Sequence, residues 1–296
     1  MKTKTREGVQ GYGFMLPALI IIAVFTLFPI GYAIFLSFTR VNLMGGIDFD
    51  WIGFSNYEIA FGDHRVWTAL RNTARFSLFV VPAQTFLALV MAAVLNSGIK
   101  FQKTFRTIFF LPTLTSSAAL TMIFMFLFAV NGPFNDVLIN IGILDSPIHF
   151  IGDVNFVLYT IMVMNVWSTA PFFMTIYLAG LQDIDASLYE AAAIDGASTW
   201  KKFTKITVPI IAPVTNYVLL MGIIGTFQMF DQAFIVSNGT GGPANATLTV
   251  ALVIYQFAFQ VMGTMGYASA LAILLTIIIF IVSMIARRIN KEEVIY

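Results

Sequence analysis

The chain has 296 residues, 58% of them hydrophobic and only 10% charged, with a mean hydropathy of +0.85 and a formal net charge of +1. Soluble domains carry roughly 25% charged residues, so the composition excludes that class and points to an integral membrane protein. With no cysteine in the chain, disulfides, cysteine-ligated metals and thiol catalysis are excluded as well.

The first apolar run, 14–38, follows Lys2, Lys4 and Arg6. It exceeds the about 7–15 apolar residues of a cleaved signal core and contains Pro29, so it reads as a retained first span. Further spans are expected over 72–95, 107–130, 155–179, 208–236 and 265–286. Each is long enough to cross a hydrocarbon layer of roughly 30 Å as helix. Residues 247–262 are apolar but short and lie between Gly239-Thr240-Gly241-Gly242-Pro243 and Gly263. They read as an interfacial or re-entrant element, since a seventh span would carry the C-terminus across the membrane. The expected fold is an all-α membrane protein of six transmembrane helices.

Charge sets the orientation. Lys2, Lys4 and Arg6, then Lys100, Lys103 and Arg106, then Lys201, Lys202 and Lys205, then Arg287, Arg288 and Lys291 all fall on one side of a six-span topology. The other side holds Arg40, Arg65, Arg71 and Arg75, with a surplus of aspartate. Because cytoplasmic loops concentrate Lys and Arg, the N-terminus (1–13), the loop 183–207 and the C-terminus (287–296) are expected to be cytoplasmic, and 14–286 to form the transmembrane domain.

The loop between the fourth and fifth spans is the most structured polar stretch. Ser187 and Glu190 have the S-x-x-E spacing of a capping box. Ala191, Ala192 and Ala193 propagate helix at low entropic cost, and Gly196 can take the left-handed conformation that ends one. Ser198 can cap a second helix carrying Trp200, Phe203 and Ile206 on one face, and Pro209 closes the unit. Two short helices joined at a glycine corner are expected. An amphipathic connector lying on lipid headgroups is one reading of them, and a docking element for a soluble partner is the other.

The run Glu190-Ala191-Ala192-Ala193-Ile194-Asp195-Gly196-Ala197, with Phe203, Ile206 and Pro209 downstream, resembles the EAA loop of ABC importer permeases. Val208 stands where that family often has Leu. The likeness continues through Leu16-Pro17-Ala18, Phe28-Pro29, Asn72-Thr73, Arg106, Leu111-Pro112 and Thr240-Gly241-Gly242-Pro243. These are similar to the binding-protein-dependent carbohydrate branch, on the side of the maltose-permease F-type and glycerol-phosphate-permease A-type subunits. The resemblance implies the type I ABC importer permease fold in a bacterial or archaeal inner membrane. It also implies ATPase coupling through Tyr189, Glu190, Ala191, Ala192, Asp195, Gly196 and Ala197. The implied partners are a second permease of the G/E type in a heterodimer, two copies of an ABC ATPase and an extracytoplasmic solute-binding protein. No G-x-x-x-x-G-K-[ST] phosphate loop occurs in the chain. ATP and Mg are therefore expected in the partner ATPase, with no cofactor, metal site or enzymatic activity in this chain and no nucleic acid as partner.

Polar groups in mid-span are costly and mark function by default. Asn165, Thr169 and Phe172, spaced i, i+4, i+7, share one face of the fourth span, with Ser168 beside them; the fifth offers Gln228 and Asp231, with Ile224 and Phe227 nearby. Amides and carboxylates suit sugar hydroxyls, and rings suit the apolar C–H surface. Alignment on the loop and the Gly-Gly-Pro turn brings all eight onto the sugar-contacting positions of the maltose-permease relative, where Asp231 replaces an amide. Interhelical hydrogen bonding is the other role open to them, most of all to Ser168 and Thr169. An ion-coupled secondary transporter would need an intramembrane acidic relay and an internal repeat; only Asp231 offers the first, and no repeat is evident.

Overall fold

The structure, a computed structural model, describes residues 14–42 and 48–289. The expectations for Lys2, Lys4, Arg6 and Lys291 lie outside those residues. The described residues divide into two compact units, one formed by those up to His64 with Ile254–Thr276, the other by Arg65–Val253 with those from Ile277 onward.

In the first unit, helix α1 (Phe14–Ser37) is apolar along its length. It widens into a π-helical turn at Ala23–Leu27, closed by the Phe28 N–H donating to the Ala23 carbonyl, immediately before Pro29. A proline ring collides with the carbonyl four residues back, here that of Phe25, and an extra residue in the turn moves that carbonyl aside. The chain then forms an antiparallel hairpin of β1 (Thr39–Asn42) and β2 (Asp48–Trp51), with Thr39 opposite Trp51. Helix α2 (Ser55–Gly62) follows. The buried Asn56 amide donates to the carbonyls of Ser37 (2.9 Å) and Thr39 (3.0 Å), satisfying acceptors that the end of α1 leaves open. Later in this unit the Tyr267 hydroxyl donates to the Asp63 carboxylate at 2.9 Å.

The second unit carries most of the remaining helices. These are α3 (His64–Asn96), α4 (Gln102–Leu114), α5 (Ser117–Leu127), α6 (Pro133–Asn140), α7 (Val157–Gln182), α8 (Ala186–Ile194) and α9 (Thr199–Lys202). After α9 come a π turn at Phe203–Thr207, α10 (Ala212–Phe227) and α11 (Asp231–Ser237), while the residues of α12 (Val250–Gln260) and α13 (Met265–Ile289) divide between the two units. The core is built where α3, α7 and α10 meet. Ala88 and Ala92 give α3 a shallow surface, into which Met174, Tyr177 and Leu178 of α7 and Val218 of α10 pack. Small residues allow such close backbone approach where no hydrophobic driving force separates protein from lipid.

Among the described residues five helical stretches, α1, α3, α7, α10 together with α11, and α13, are long and apolar enough to cross a membrane, and α4 with α5 makes a sixth crossing if that bent pair is one span. The expected continuous helix over 107–130 is corrected: α4 and α5 meet at 98°. Thr115 turns to an extended conformation, and the Ser116 hydroxyl caps the new helix by accepting from the Ala119 N–H. The span expected over 208–236 is also interrupted, first at Ile211 and again at Gln228–Phe230. Residues 247–262 hold the short helix α12, below spanning length.

Candidate functional site

The α4–α5 bend and the break at Gln228–Phe230 border the same space. A cavity of about 200 Å³ is lined by Ser117, the first residue of α5, by Asn165 of α7, and by Gln228, Asp231 and Gln232 around the break in the fifth span. A second cavity of about 300 Å³ shares Ser117 and Gln232 with it, and adds Thr113, Thr115, Ser168, Thr169 and Phe172. Breaking a helix frees backbone groups that hydrocarbon cannot satisfy, so such breaks persist only where protein or a polar cavity receives them. Here the Met229 carbonyl, in the second break, accepts a 3.0 Å bond from the Thr249 hydroxyl.

The eight expected substrate residues separate. Asn165, Gln228 and Asp231 line the smaller cavity, and Ser168, Thr169 and Phe172 the larger. Ile224 and Phe227 line neither, and Phe227 is buried in helix packing. Gln228 and Asp231 were paired by helical spacing, but the helix is broken between them, and they share the cavity through the break instead. The hydroxyls do double duty: Ser168 donates to the Asn165 carbonyl at 3.0 Å, and Thr169 to the same carbonyl and to Gln84 Oε1 at 2.6 Å. Asn165 Nδ2 donates to Gln232 Oε1 at 3.2 Å, joining α7 to α11.

Gln84, Gln232 and Ser117 escaped the sequence reading. Gln84, in mid-α3, leaves only 1% of its surface exposed. The rule that flags polar groups in apolar spans applies to it as much as to Asn165. Its Nε2 lies 2.5 Å from where a Cβ on Gly222 would stand, which explains the glycine at that point of α10. Gln232, inside the span expected over 208–236, carries the same signal, whereas Ser117 is a small hydroxyl that a helix backbone can satisfy by itself.

The segment between α7 and α10 forms as expected in outline. Helix α8 ends in a Schellman arrangement: Gly196 sits at φ +71°, its N–H donates to Ala193, and the Ala197 N–H donates to Ala192. Ser198 caps α9 by accepting from the Lys201 N–H. The start of α8 is corrected: Asp185, not Ser187, is the cap, its carboxylate accepting from the Ser187 N–H at 2.9 Å. Those hydrogen bonds from Ser187 hold the Asp185 carboxyl below its usual range. Glu190, Ala191, Asp195 and Gly196 are exposed, and Ala192 and Ala197 are half-buried. Ile194 and Trp200 are 87% and 73% exposed, an apolar pair presented outward. Tyr189 is anchored, its hydroxyl 2.8 Å from the Thr207 hydroxyl at the end of the π turn. That turn again precedes a proline, Pro209, for the reason given at Pro29.

Residues 84–292 match the model of a family described as binding-protein-dependent transport system inner membrane component. The chain belongs to that family. It is 36% identical over 276 residues to the lactose transport system permease protein LacF of Rhizobium radiobacter, covering 93% of this chain and 92% of that one. It is 34% identical over 282 residues to the arabinooligosaccharides transport system permease protein AraP of Bacillus subtilis, covering 94% and 88%. A crystallised bacterial alginate ABC transporter, in complex with pentasaccharide-bound periplasmic protein, includes a chain of the same fold. The two superpose with a TM-score of 0.84 over 98% of each chain at 22% identity.

In this binding-protein-dependent permease, two family-like motifs distant in sequence form one hydrogen-bonded unit. Asn72 Nδ2 donates to the Asn245 and Leu248 carbonyls at 2.8 and 3.0 Å, and Thr73 Oγ1 accepts from the Val250 N–H. The second span thereby holds the loop that follows the Gly-Gly-Pro turn.

Proposed function

We propose that the chain is the permease subunit of an ATP-driven importer for a carbohydrate, an oligosaccharide or sugar derivative. The observation that carries this reading is the pair of adjoining cavities at the two helix breaks. They combine amides and hydroxyls with the aromatic side chain of Phe172, the chemistry that a polyhydroxylated ring requires. The lactose and arabinooligosaccharide permeases among its relatives support the same solute class. The family's description supports delivery by a soluble binding protein, and the chain's own lack of a phosphate loop supports ATP hydrolysis in partner ATPase subunits.

In this reading the ATPase docks on α8, using Tyr189, Glu190, Ala191, Ala192, Asp195, Gly196 and Ala197, with Ile194 and Trp200 as exposed apolar anchors. A second permease completes the pathway. Both termini and α8 face the cytoplasm, as the clustering of lysines argues. Movement at α8 has a short route inward: the Tyr189–Thr207 hydrogen bond leads to the π turn, to α10, and so to the break that carries Gln228 and Asp231. The cycle is alternating access, with ATP-driven closure of the ATPase pair shifting the spans around the cavities.

The test is uptake in proteoliposomes holding the whole complex, with lactose and arabinooligosaccharides as labelled solutes. ATP-dependent uptake of a saccharide is expected. It should fall about tenfold or more in Gln228→Ala and Asn165→Ala, with assembly intact. Absence of any saccharide uptake by the assembled wild type, or unaltered kinetics in both variants, would refute the reading.

A further inference from the structure

We propose that the Asp231 carboxylate makes the cavity reject anionic solutes, so that the cargo is a neutral or amine-bearing saccharide. This inference rests on the carbohydrate-importer reading and narrows it.

Among the described residues lining the two cavities, Asp231 is the single ionisable side chain; no Lys, Arg or His reaches either. Everything else there is an amide, a hydroxyl, an apolar group or backbone. The carboxylate is exposed to the cavity and, among the described residues, accepts no hydrogen bond and forms no ion pair that would quench it.

One opposing force is present. Ser117 begins α5, whose N-terminus carries a positive partial charge of roughly half a unit and attracts anions. Two things offset it. The Ser116 hydroxyl already occupies one of the free N–H groups at that end. Asp231 itself contributes a full negative charge in the first turn of α11, where the other free helix end meets the cavity. A uronate, phosphate or sulfonate held about 5 Å from that carboxylate would be disfavoured about fourfold if water screens as in bulk. At the effective dielectric of about 20 found near protein surfaces the factor rises to the order of a hundredfold. A hydroxyl, by contrast, donates to the carboxylate, and an ammonium pairs with it.

Direct binding to the purified full complex isolates the permease from the selectivity of the soluble receptor. Saturation-transfer NMR titrations with lactose, the glucosamine disaccharide and digalacturonate, at one low ionic strength, provide the readout. In the wild type digalacturonate should bind at least about fourfold more weakly than lactose, and the glucosamine disaccharide at least as well. Asp231→Asn should close the gap between the two charged ligands at least about fourfold. Asp231→Glu should preserve it, and Gln228→Ala should weaken all three alike.

The inference is overturned if wild type binds digalacturonate as well as lactose, or if Asp231→Asn leaves the three in the same ratio. It is likewise overturned if Asp231→Asn sheds the second permease subunit, which would assign the carboxylate to the subunit contact. If the assembled wild type binds no saccharide of any charge, the carbohydrate reading itself fails and takes this inference with it.

Discussion

In the proposed docking of the ATPase on α8, the corner at Gly196 depends on one backbone conformation. Its φ of +71° costs an ordinary L-residue about 1–2 kcal/mol, yet an added Cβ would meet nothing within 4 Å. Strain and crowding are therefore separable at this site. Gly196→Asn should retain most solute-stimulated ATP hydrolysis, Gly196→Ala should lose a measurable part, and Gly196→Val should lose most, with membrane insertion equal in all three. Equal activity in the three would show that the corner geometry is not used. Asp185, at the other end of α8, makes a prediction in pH. Its folded pKa lies below the ordinary carboxylate value of about 4, so the cap's contribution is complete above that value and fades as pH falls through the lowered one. Across about pH 6–8 the coupling deficit of Asp185→Ala should therefore be constant, and Asp185→Asn, a cap of similar quality, should restore activity. Steady-state ATPase assays of the complex at several pH values measure both.

At the scale of elements, the packing of α3, α7 and α10 depends on a glycine facing an amide. Gly222→Ala would place a methyl group 2.5 Å from Gln84 Nε2. The side chain must then swing away, breaking its 2.6 Å bond with Thr169, at a cost on the order of 0.6–2 kcal/mol for a contact of this kind in a membrane. Gln84→Ala loses the same bond but makes room. The double variant Gly222→Ala/Gln84→Ala should therefore be no less stable to thermal unfolding in detergent than Gln84→Ala alone. A strictly additive loss would remove Gln84 as the reason for the glycine. The same elements mark what the sequence could tell. Helix α7 and the α8 corner were legible because their signals are local: an apolar run for one, a capped alanine stretch ending in glycine for the other. The breaks were not, although the first carries Pro112 and the hydroxyls of Thr113, Thr115, Ser116 and Ser117, because the stretches around both are apolar enough overall to pass as single spans. What stabilises the second break is a hydroxyl twenty residues away, Thr249 on Met229, and the first turns on the Ser116 cap, which stands between Thr115 and Ser117. Ser117 was hidden because a hydroxyl can bond to its own helix backbone, but Gln232 carried the same signal as its neighbours. Asn165, Gln228 and Asp231 were visible because a polar group in lipid needs a reason wherever the backbone goes.

For the whole molecule, the bent pair α4–α5 decides the topology, because length and composition allow it to be one crossing or a re-entrant loop. Charge discriminates. Lys100, Lys103 and Arg106 lie just before or within α4, and Lys201, Lys202 and Lys205 lie in and after α9. Between the two groups stand the bent pair and α7. If the pair crosses, those two crossings return the chain to the same side, and both basic groups share the cytoplasm as expected. If the pair is re-entrant, α7 crosses alone and the second group is left outside, against the bias. The absence of cysteine makes the test clean. Single substitutions Ser97→Cys, Asn140→Cys and Ser187→Cys, all at exposed positions, can be probed in right-side-out and inverted vesicles with a membrane-impermeant maleimide. Ser97→Cys and Ser187→Cys should label only in inverted vesicles, and Asn140→Cys only in right-side-out ones. A re-entrant pair would give the same result at position 97 but the reverse at 140 and 187. That outcome would also put α8 on the side without ATP, and coupling through it would have to be abandoned.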